Sequence, residues 1–449
     1  MPVRASNRSP VRRCAALLSV VLAAVPLTSC TTNSTPSANA GEVHISTGTP
    51  QGVRAQQIVD MLNSDWPIGT ESIKTLAGPD QVDFVTAAMD QLWWERPYTV
   101  AGIQLGAGSA ELQLATGYGG RQNIDIRTGS STLVDRFEVS TPAPHIGSFA
   151  DVDTVLSRLG GRYSYQVSRV VDGRCEPIAG TNTDLPLPLA SIFKTYVLYA
   201  VAQEVLAGRL SWDDELTITA RSKAVGSSAF DLMRPGQRIP VRLAAGKMIS
   251  SSDNMATDLL IEKVGRRAVE RALHDAGHHD PAALTPFPTM HELFSIGWGR
   301  PDLREQWRDG DRAQRTALLR RAAAARYDSD PLRTHEPASP YGVEWFGTAA
   351  DICRVHTALQ RIAVGAAAPV RDIMADLPGI DLDPAQWPYI GAKAGNLPGD
   401  LTFSWYAEDR TGQPWVVSLQ TNWDTFHGPR TGAWLMGVTK ALFRLIPTG

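Results

Sequence analysis

Apolar residues recur every three to four positions over residues 53–66 and 81–94, the spacing that lays one helix face against a core. From residue 98 onward the period falls to two. Segments 98–105, 110–116 and 133–139 alternate in character and are separated by glycine-rich turns such as Gly117-Tyr118-Gly119-Gly120, which predicts strands. Helices followed by a short antiparallel sheet make residues 50–145 a small α+β unit. Trp93 and Trp94, paired at the end of its second helix, are expected in the core, with the lining of a pocket as the alternative.

Thr141-Pro142-Ala143-Pro144 reads as a linker, and a second unit is expected over residues 150–449. Its opening strands fall at 162–172 and 176–181, ahead of the uncharged apolar run around residues 186–205, which predicts a buried central helix. Three more strands, at 389–394, 401–409 and 415–422, precede a last helix at 432–445. One antiparallel sheet is therefore built from both ends of the unit, and the middle must be an inserted, all-helical lobe. The Ala/Arg-rich run 311–326 lengthens that lobe as a solvated helix.

A chain of 449 residues fits two folded units, and a net charge of -3 with scattered basic residues argues against a nucleic-acid partner. Arg4, Arg8, Arg12 and Arg13 precede an apolar run at 14–27, the charged and hydrophobic regions of an export signal over residues 1–29. The run is too short for a spanning helix. It ends in Leu27-Thr28-Ser29-Cys30, which looks like a bacterial lipobox, so Cys30 is expected to carry lipid and residues 30–49 to form a Ser/Thr/Asn-rich tether. That places the protein on the outer face of the cell membrane. Cys175 and Cys353 then form an even pair in a disulfide-permissive compartment, either bridged or as two separate buried thiols. No C-x-x-C or spaced His pair suggests a metal, His278-His279 reads as surface, and no cofactor is expected.

The chemistry lies in three segments: Ser191-Ile192-Phe193-Lys194, Ser252-Asp253-Asn254 and Lys393-Ala394-Gly395. Residues three apart share a helix face, so Lys194 can stand beside the Ser191 hydroxyl and take its proton. A Lys inside an apolar helix is costly to desolvate, and that cost lowers its pKa toward a basic role. Ser191 follows Pro186 and Pro188 and falls in the first turn, where free backbone N–H groups favour a developing oxyanion. Taken alone, Ser252-Asp253-Asn254 would be a plain helix cap.

In order and spacing the trio resembles S-x-x-K, S-D-N and K-T-G of the penicillin-recognising serine enzymes, the class A β-lactamases and D-alanyl-D-alanine peptidases. The resemblance implies a class A β-lactamase-like fold from about residue 152 to the end, with Ser191 as nucleophile and Lys194 as base. By the same resemblance Ser252 relays a proton to the leaving group, Asp253 is a buried orienter, and Asn254 binds the substrate amide while holding Lys194. Lys393 would face a substrate carboxylate, Gly395 would admit substrate to the strand edge, and Asn396 N–H would complete an oxyanion hole with that of Ser191.

Two departures matter. Ala394 replaces the hydroxyl residue of the third motif, removing a charge-assisted hydrogen bond of about 1.5–3 kcal/mol. The loop 278–289 lacks the Glu that activates deacylating water in class A enzymes, and Glu292 lies in the helix that follows. The first unit is similar to domains of the nuclear-transport-factor type. The whole arrangement resembles a two-domain β-lactamase-like protein of the clavulanic acid biosynthetic cluster, with matching residues at Arg174-Cys175-Glu176-Pro177, Pro288-Thr289-Met290-His291-Glu292-Leu293-Phe294 and Trp345-Phe346. The expected activity is that of a serine hydrolase with β-lactamase-like or esterase action and slow deacylation of β-lactams. The alternatives are a D-alanyl-D-alanine peptidase and a non-catalytic binding module. The partners implied are a small β-lactam, ester or peptide and, through Cys30, the membrane.

Overall fold

The computed structural model describes residues 43–223 and 225–448; the export signal, Cys30 and the first part of the tether lie outside the described residues. Helix α1 (Pro50–Leu62) starts at Thr49, whose hydroxyl accepts from Gly52 N, with Pro50 at the first helical position. Helices α2 (Thr70–Lys74) and α3 (Val82–Trp93) follow, then β1 (Tyr98–Leu105), β2 (Ser109–Thr116), β3 (Arg121–Thr128) and β4 (Val134–Ser140). The four strands pair in sequence order as an antiparallel meander. Ile58, Leu62, Met89 and Leu92 fill the space over Leu112, Leu114, Ile124 and Phe137, while Glu111, Arg121, Asp125 and Arg127 face water. Strand β3 was not among the expected elements. It carries only two apolar inward residues, Ile124 and Ile126, and its third inward residue is the buried Gln122, which accepts from the Thr141 hydroxyl at 2.7 Å.

In the second unit α4 (Phe149–Leu156) leads to the hairpin β5 (Arg162–Val171) and β6 (Arg174–Thr181), then to β7 (Leu187–Pro188). A 3₁₀ turn over Ala190–Phe193 delivers the chain into α5 (Lys194–Leu206). The helical lobe holds the ribbon β8 (Glu215–Thr217) and β9 (Arg238–Pro240) with α6 (Ala220–Lys223), α7 (Val241–Ser250), α8 (Asn254–Val264) and α9 (Arg266–Asp275). It continues through α10 (Met290–Gly297), α11 (Arg304–Asp309) and α12 (Arg312–Ala324). Strand β10 (Phe346–Gly347) pairs with β7, and α13 (Ala349–Ile362) and α14 (Pro369–Ala375) return the chain to β11 (Tyr389–Leu397), β12 (Asp400–Glu408) and β13 (Pro414–Asn422), followed by α15 (Pro429–Arg444).

The five-stranded sheet runs β11-β12-β13-β5-β6, antiparallel throughout, so its two halves do come from opposite ends of the unit. Along β13, Trp415, Val417 and Leu419 pack on α15, whereas Ser418 and Gln420 point the other way and are equally buried. That polar inner face has a purpose. Gln420 Nε2 donates to Pro188 O and Gly347 O at 3.3 and 3.1 Å, and Thr402 Oγ1 reaches Leu189 O at 3.1 Å, fixing the segment that precedes Ser191. Helix α5 is buried nearly all round, as befits a core helix. Cys175 on β6 and Cys353 on α13 form a disulfide with Cα atoms 6.3 Å apart.

The two units are locked together by one buried acid. Glu95 accepts from Gly428 N at 2.9 Å, Thr431 N at 3.2 Å, the Thr431 hydroxyl at 2.5 Å and His427 Nδ1 at 3.1 Å, at the N-terminus of α15 where the helix dipole favours negative charge. Trp93 is in the core as expected, but Trp94 stands between the units, its ring 4.4 Å from His335 and 4.8 Å from Phe426. The linker is also pinned, for a Cβ on Gly437 would lie 2.8 Å from that of Ala143.

Candidate active site

Ser191 sits in the 3₁₀ turn ahead of α5, partly open to solvent between the sheet edge and the lobe. Ala190 before it has φ 41°, a left-handed conformation that a residue with a Cβ adopts only under restraint. Strand β11 runs directly against this turn. A Cβ added at Gly395 would meet Ser191 N at 2.5 Å and the Ala190 Cβ at 2.9 Å, so glycine is required there by close approach. Ala394 and Asn396 flank it at exposed positions of the same edge strand.

Lys194 is fully buried and spends its donors on Ser252 O at 2.6 Å, Ser252 Oγ at 3.1 Å and Asn254 Oδ1 at 2.9 Å. Burial pushes its ammonium down to about 7, opposed by the nearby charges of Asp253 and Asp258. Lys393 Nζ donates to the same Ser252 Oγ at 3.1 Å and to its neighbour Ala394 O at 2.5 Å. Burial, and then repulsion by Lys194, holds Lys393 well below the usual lysine range. One hydroxyl thus bridges two lysines. Among the described residues no hydrogen bond joins Ser191 Oγ to Lys194 Nζ, so in this resting arrangement the base is held by Ser252 and Asn254.

Asp253 both caps and orients. Its Oδ1 accepts from Ala256 N at 2.8 Å at the start of α8, while Oδ2 accepts from the Ser227 hydroxyl at 2.6 Å and from Ser228 N and Ala229 N at 3.0 Å. Sequence reasoning passed over Asp258, one helical turn beyond Asn254 and so on the same face of α8. It receives Met290 N at 2.7 Å and His291 N at 2.9 Å, and desolvation pushes it up to about 7 against those two N–H groups. Spacing from Asn254 was the signal that would have found it.

Glu292 is occupied elsewhere. It closes a capping box with Thr289, accepting from Thr289 N at 2.9 Å, and pairs with Arg266 at 2.6 Å while 2% exposed. The pair His278-His279 is also not simply surface: His278 is buried, its Nδ1 accepting from Asp280 N at 3.1 Å, which leaves Nε2–H to donate to Phe346 O at 3.0 Å. Ligand atoms of His278, His279 and Asp351 lie within 4.8 Å of one another. Asp351 is nonetheless committed to Thr348 N, His279 and Arg354, and both His278 nitrogens are used, so these residues tie the loop to α13 instead of offering lone pairs to a cation. A hollow of about 430 Å³ between Arg304, Tyr341 and Asp424 includes none of the motif residues.

Each unit has a match to a known family. Residues 149–319 match the family described as the beta-lactamase enzyme family, and residues 45–134 match that described as ORF 12 gene product N-terminal. No curated protein matches the chain. Similar solved structures include a β-lactamase from Sphaerobacter thermophilus DSM 20745, at 20% identity over 67% of this chain and 98% of that one with a TM-score of 0.47. The chromosome-encoded β-lactamase of Vibrio parahaemolyticus is 18% identical over 66% and 96% with a TM-score of 0.45, and PBP-A is 15% identical over 68% and 98% with a TM-score of 0.45. The fold is α+β, with a class A β-lactamase-like domain behind a small helix-and-sheet unit.

Proposed function

We propose that the protein is a serine hydrolase that forms an acyl-enzyme on Ser191, with β-lactamase-like or esterase activity and slow deacylation of β-lactams. The observation that carries this reading is the Ser252 hydroxyl set 3.1 Å from both Lys194 Nζ and Lys393 Nζ, beside a nucleophile turn packed on Gly395. A Lys194 near neutrality takes the Ser191 proton as Oγ bonds to the substrate carbonyl carbon; resting hydrogen bonds of this kind often tighten only with substrate bound. The N–H groups of Ser191 and Asn396 would receive the oxyanion. As the carbonyl reforms, the bond to the leaving nitrogen or oxygen breaks, and Ser252 passes it a proton. Lys393 attracts a substrate carboxylate, without the hydroxyl that Ala394 lacks, and Asn254 serves to hold Lys194.

The loop has no glutamate to activate water and Glu292 is held by Thr289 and Arg266, which also favours a second reading, a D-alanyl-D-alanine peptidase acting on cell-wall peptides. Ala394 weighs against it, since that substrate ends in a carboxylate. A chromogenic cephalosporin, a short-chain nitrophenyl ester and a D-Ala-D-Ala peptide, assayed in parallel with mass spectrometry of the Ser191 peptide, separate the readings. An adduct elsewhere would move the nucleophile off Ser191, and neither adduct nor turnover with any substrate would leave a non-catalytic binding module.

The export signal and Cys30 lipidation belong to this proposal, and the Cys175–Cys353 disulfide supports an oxidising compartment. The same holds for kinship with the two-domain protein of the clavulanic acid cluster, which the order of the two family matches supports. Cys30→Ala should release the protein from membranes or leave it unprocessed, and unchanged fractionation would refute the anchor.

A further inference from the structure

Behind the nucleophile turn two carboxyl groups meet that take no part in the reaction above. Glu344, two residues before β10, and Asp400, at the start of β12, are 4% and 2% exposed and lie within hydrogen-bond reach of each other. Glu344 accepts from Trp345 N at 2.8 Å, and the N–H of Ala190 faces the same carboxyl. Asp400 accepts from Asn422 Nδ2 at 2.5 Å and from the Ser339 hydroxyl, and the Arg162 guanidinium on β5 faces it. Two carboxylates this close, away from water, cannot both be ionised, so the pair shares one proton. Its neighbours decide where. Asn422, Ser339 and Arg162 stabilise charge on Asp400, which leaves the proton on Glu344 as donor to Asp400.

The residue gripped by Glu344 is the one held at φ 41°, immediately before Ser191. Trp345, whose N–H the same carboxyl receives, stacks on Phe193 of the nucleophile turn with ring centroids 3.8 Å apart. We propose that Glu344 and Asp400 form a proton-sharing dyad that positions Ser191: with the proton in place Glu344 holds Ala190 and Trp345 in register, and without it the two charges repel and the turn relaxes. Glu344 is a positioning residue, since it acts through Ala190 and touches no reacting atom.

Arg312 and Arg315 line, with Glu344, Trp307 and Phe346, a cavity of about 280 Å³. Arg315 is turned to Trp307 O at 2.9 Å, and the charge of Arg162 acts on Asp400. Burial raises both carboxyls well above the ordinary range, Glu344 also through the charge of Asp400, so the pair favours keeping a proton.

This inference rests on Ser191 as nucleophile, and its test separates the two ideas. Glu344→Gln keeps an acceptor for Ala190 and Trp345 and a donor to Asp400, yet cannot lose a proton. Ser191 labelling by a penicillin probe should then match wild type near neutral pH. At alkaline pH the wild-type rate should fall about tenfold per pH unit once the proton leaves, while the variant holds its plateau. Glu344→Ala should be slow at every pH. Equal alkaline limbs in wild type and Glu344→Gln would overturn the positioning role.

Two readouts need no chemistry at Ser191. Because the folded carboxyl binds a proton that the unfolded one releases, wild-type stability should decline relative to Glu344→Gln as pH rises from 5 to 9; a constant difference in melting temperature would overturn the shared proton. Hydrogen exchange of the Ala190–Phe193 peptide should accelerate beyond its intrinsic alkaline increase in wild type alone. Failure of every probe to label Ser191 would count against the nucleophile assignment, and exchange would still decide whether the dyad grips the turn.

Discussion

Acylation should follow the neutral fraction of Lys194, and the structure sets where that fraction changes. With its pKa pushed down to about 7, Lys194 is neutral in about a tenth of molecules at pH 6 and about nine-tenths at pH 8, so the acylation rate should rise about tenfold across that interval. An exposed lysine with its ordinary pKa of about 10.4 would be less than about 1% neutral at pH 8. Burial therefore supplies on the order of a hundredfold in active base. Lys393 shares Ser252 Oγ and is depressed by the same burial, so the observed limb belongs to the pair. The assay is single-turnover release of nitrophenol from a short-chain ester, with Ser191→Ala as the background. Lys194→Arg, which cannot deprotonate, should lose about 10²- to 10⁴-fold at every pH.

Stability gives an independent reading of the same proton. A lysine whose folded pKa is lowered penalises the native state fully below pH 7 and is relieved as pH rises toward the unfolded value, a change of about 4–5 kcal/mol. Comparison with Lys194→Met isolates that part of the curve. An acylation rate that is flat from pH 6 to 8, or a limb near pH 10, would refute Lys194 as the base.

Three further perturbations bear on the framework. Gly395→Ala drives a Cβ to 2.5 Å from Ser191 N, and a displacement of that size should lower acylation by about 10²-fold with the protein still folded, as far-UV circular dichroism and labelling kinetics would show. Glu95→Ala leaves Gly428, Thr431 and His427 without their buried acceptor, and urea unfolding should report a loss of about 3–5 kcal/mol, less for Glu95→Gln. Cys175→Ser opens a loop spanning a sequence separation of 178 and should cost about 2–5 kcal/mol, seen equally on adding a reductant to the wild type.

The sequence was most legible where the chemistry is local. Ser191 and Lys194 are three apart on one turn, and the alternation of Pro414–Asn422 marks a strand because Trp415, Val417 and Leu419 share one apolar face. Strand β3 escaped because Gln122 takes an inward position that alternation reserves for apolar side chains. The capping box of Glu292 was present as Thr289-Met290-His291-Glu292 and shows why that acid is unavailable, a local signal that could have been read. Long-range contacts were not legible. Nothing in the chain announces that Glu344 and Asp400 meet behind Ala190, that Trp94 stands between two units, or that Gly395 touches Ser191 N, because each follows from how the sheet, the lobe and the first unit dock.

The central claim, a covalent acyl-enzyme on Ser191 that breaks down slowly, is tested most directly by rapid-quench kinetics on a chromogenic cephalosporin with mass spectrometry of the quenched protein. With Glu292 bound to Thr289 and Arg266, deacylation should lack general-base help worth about 10²- to 10⁴-fold. The account predicts a burst of product close to one per enzyme, an adduct on the Ser191 peptide, and very slow turnover thereafter. Rapid steady-state hydrolysis with no burst and no adduct would contradict it.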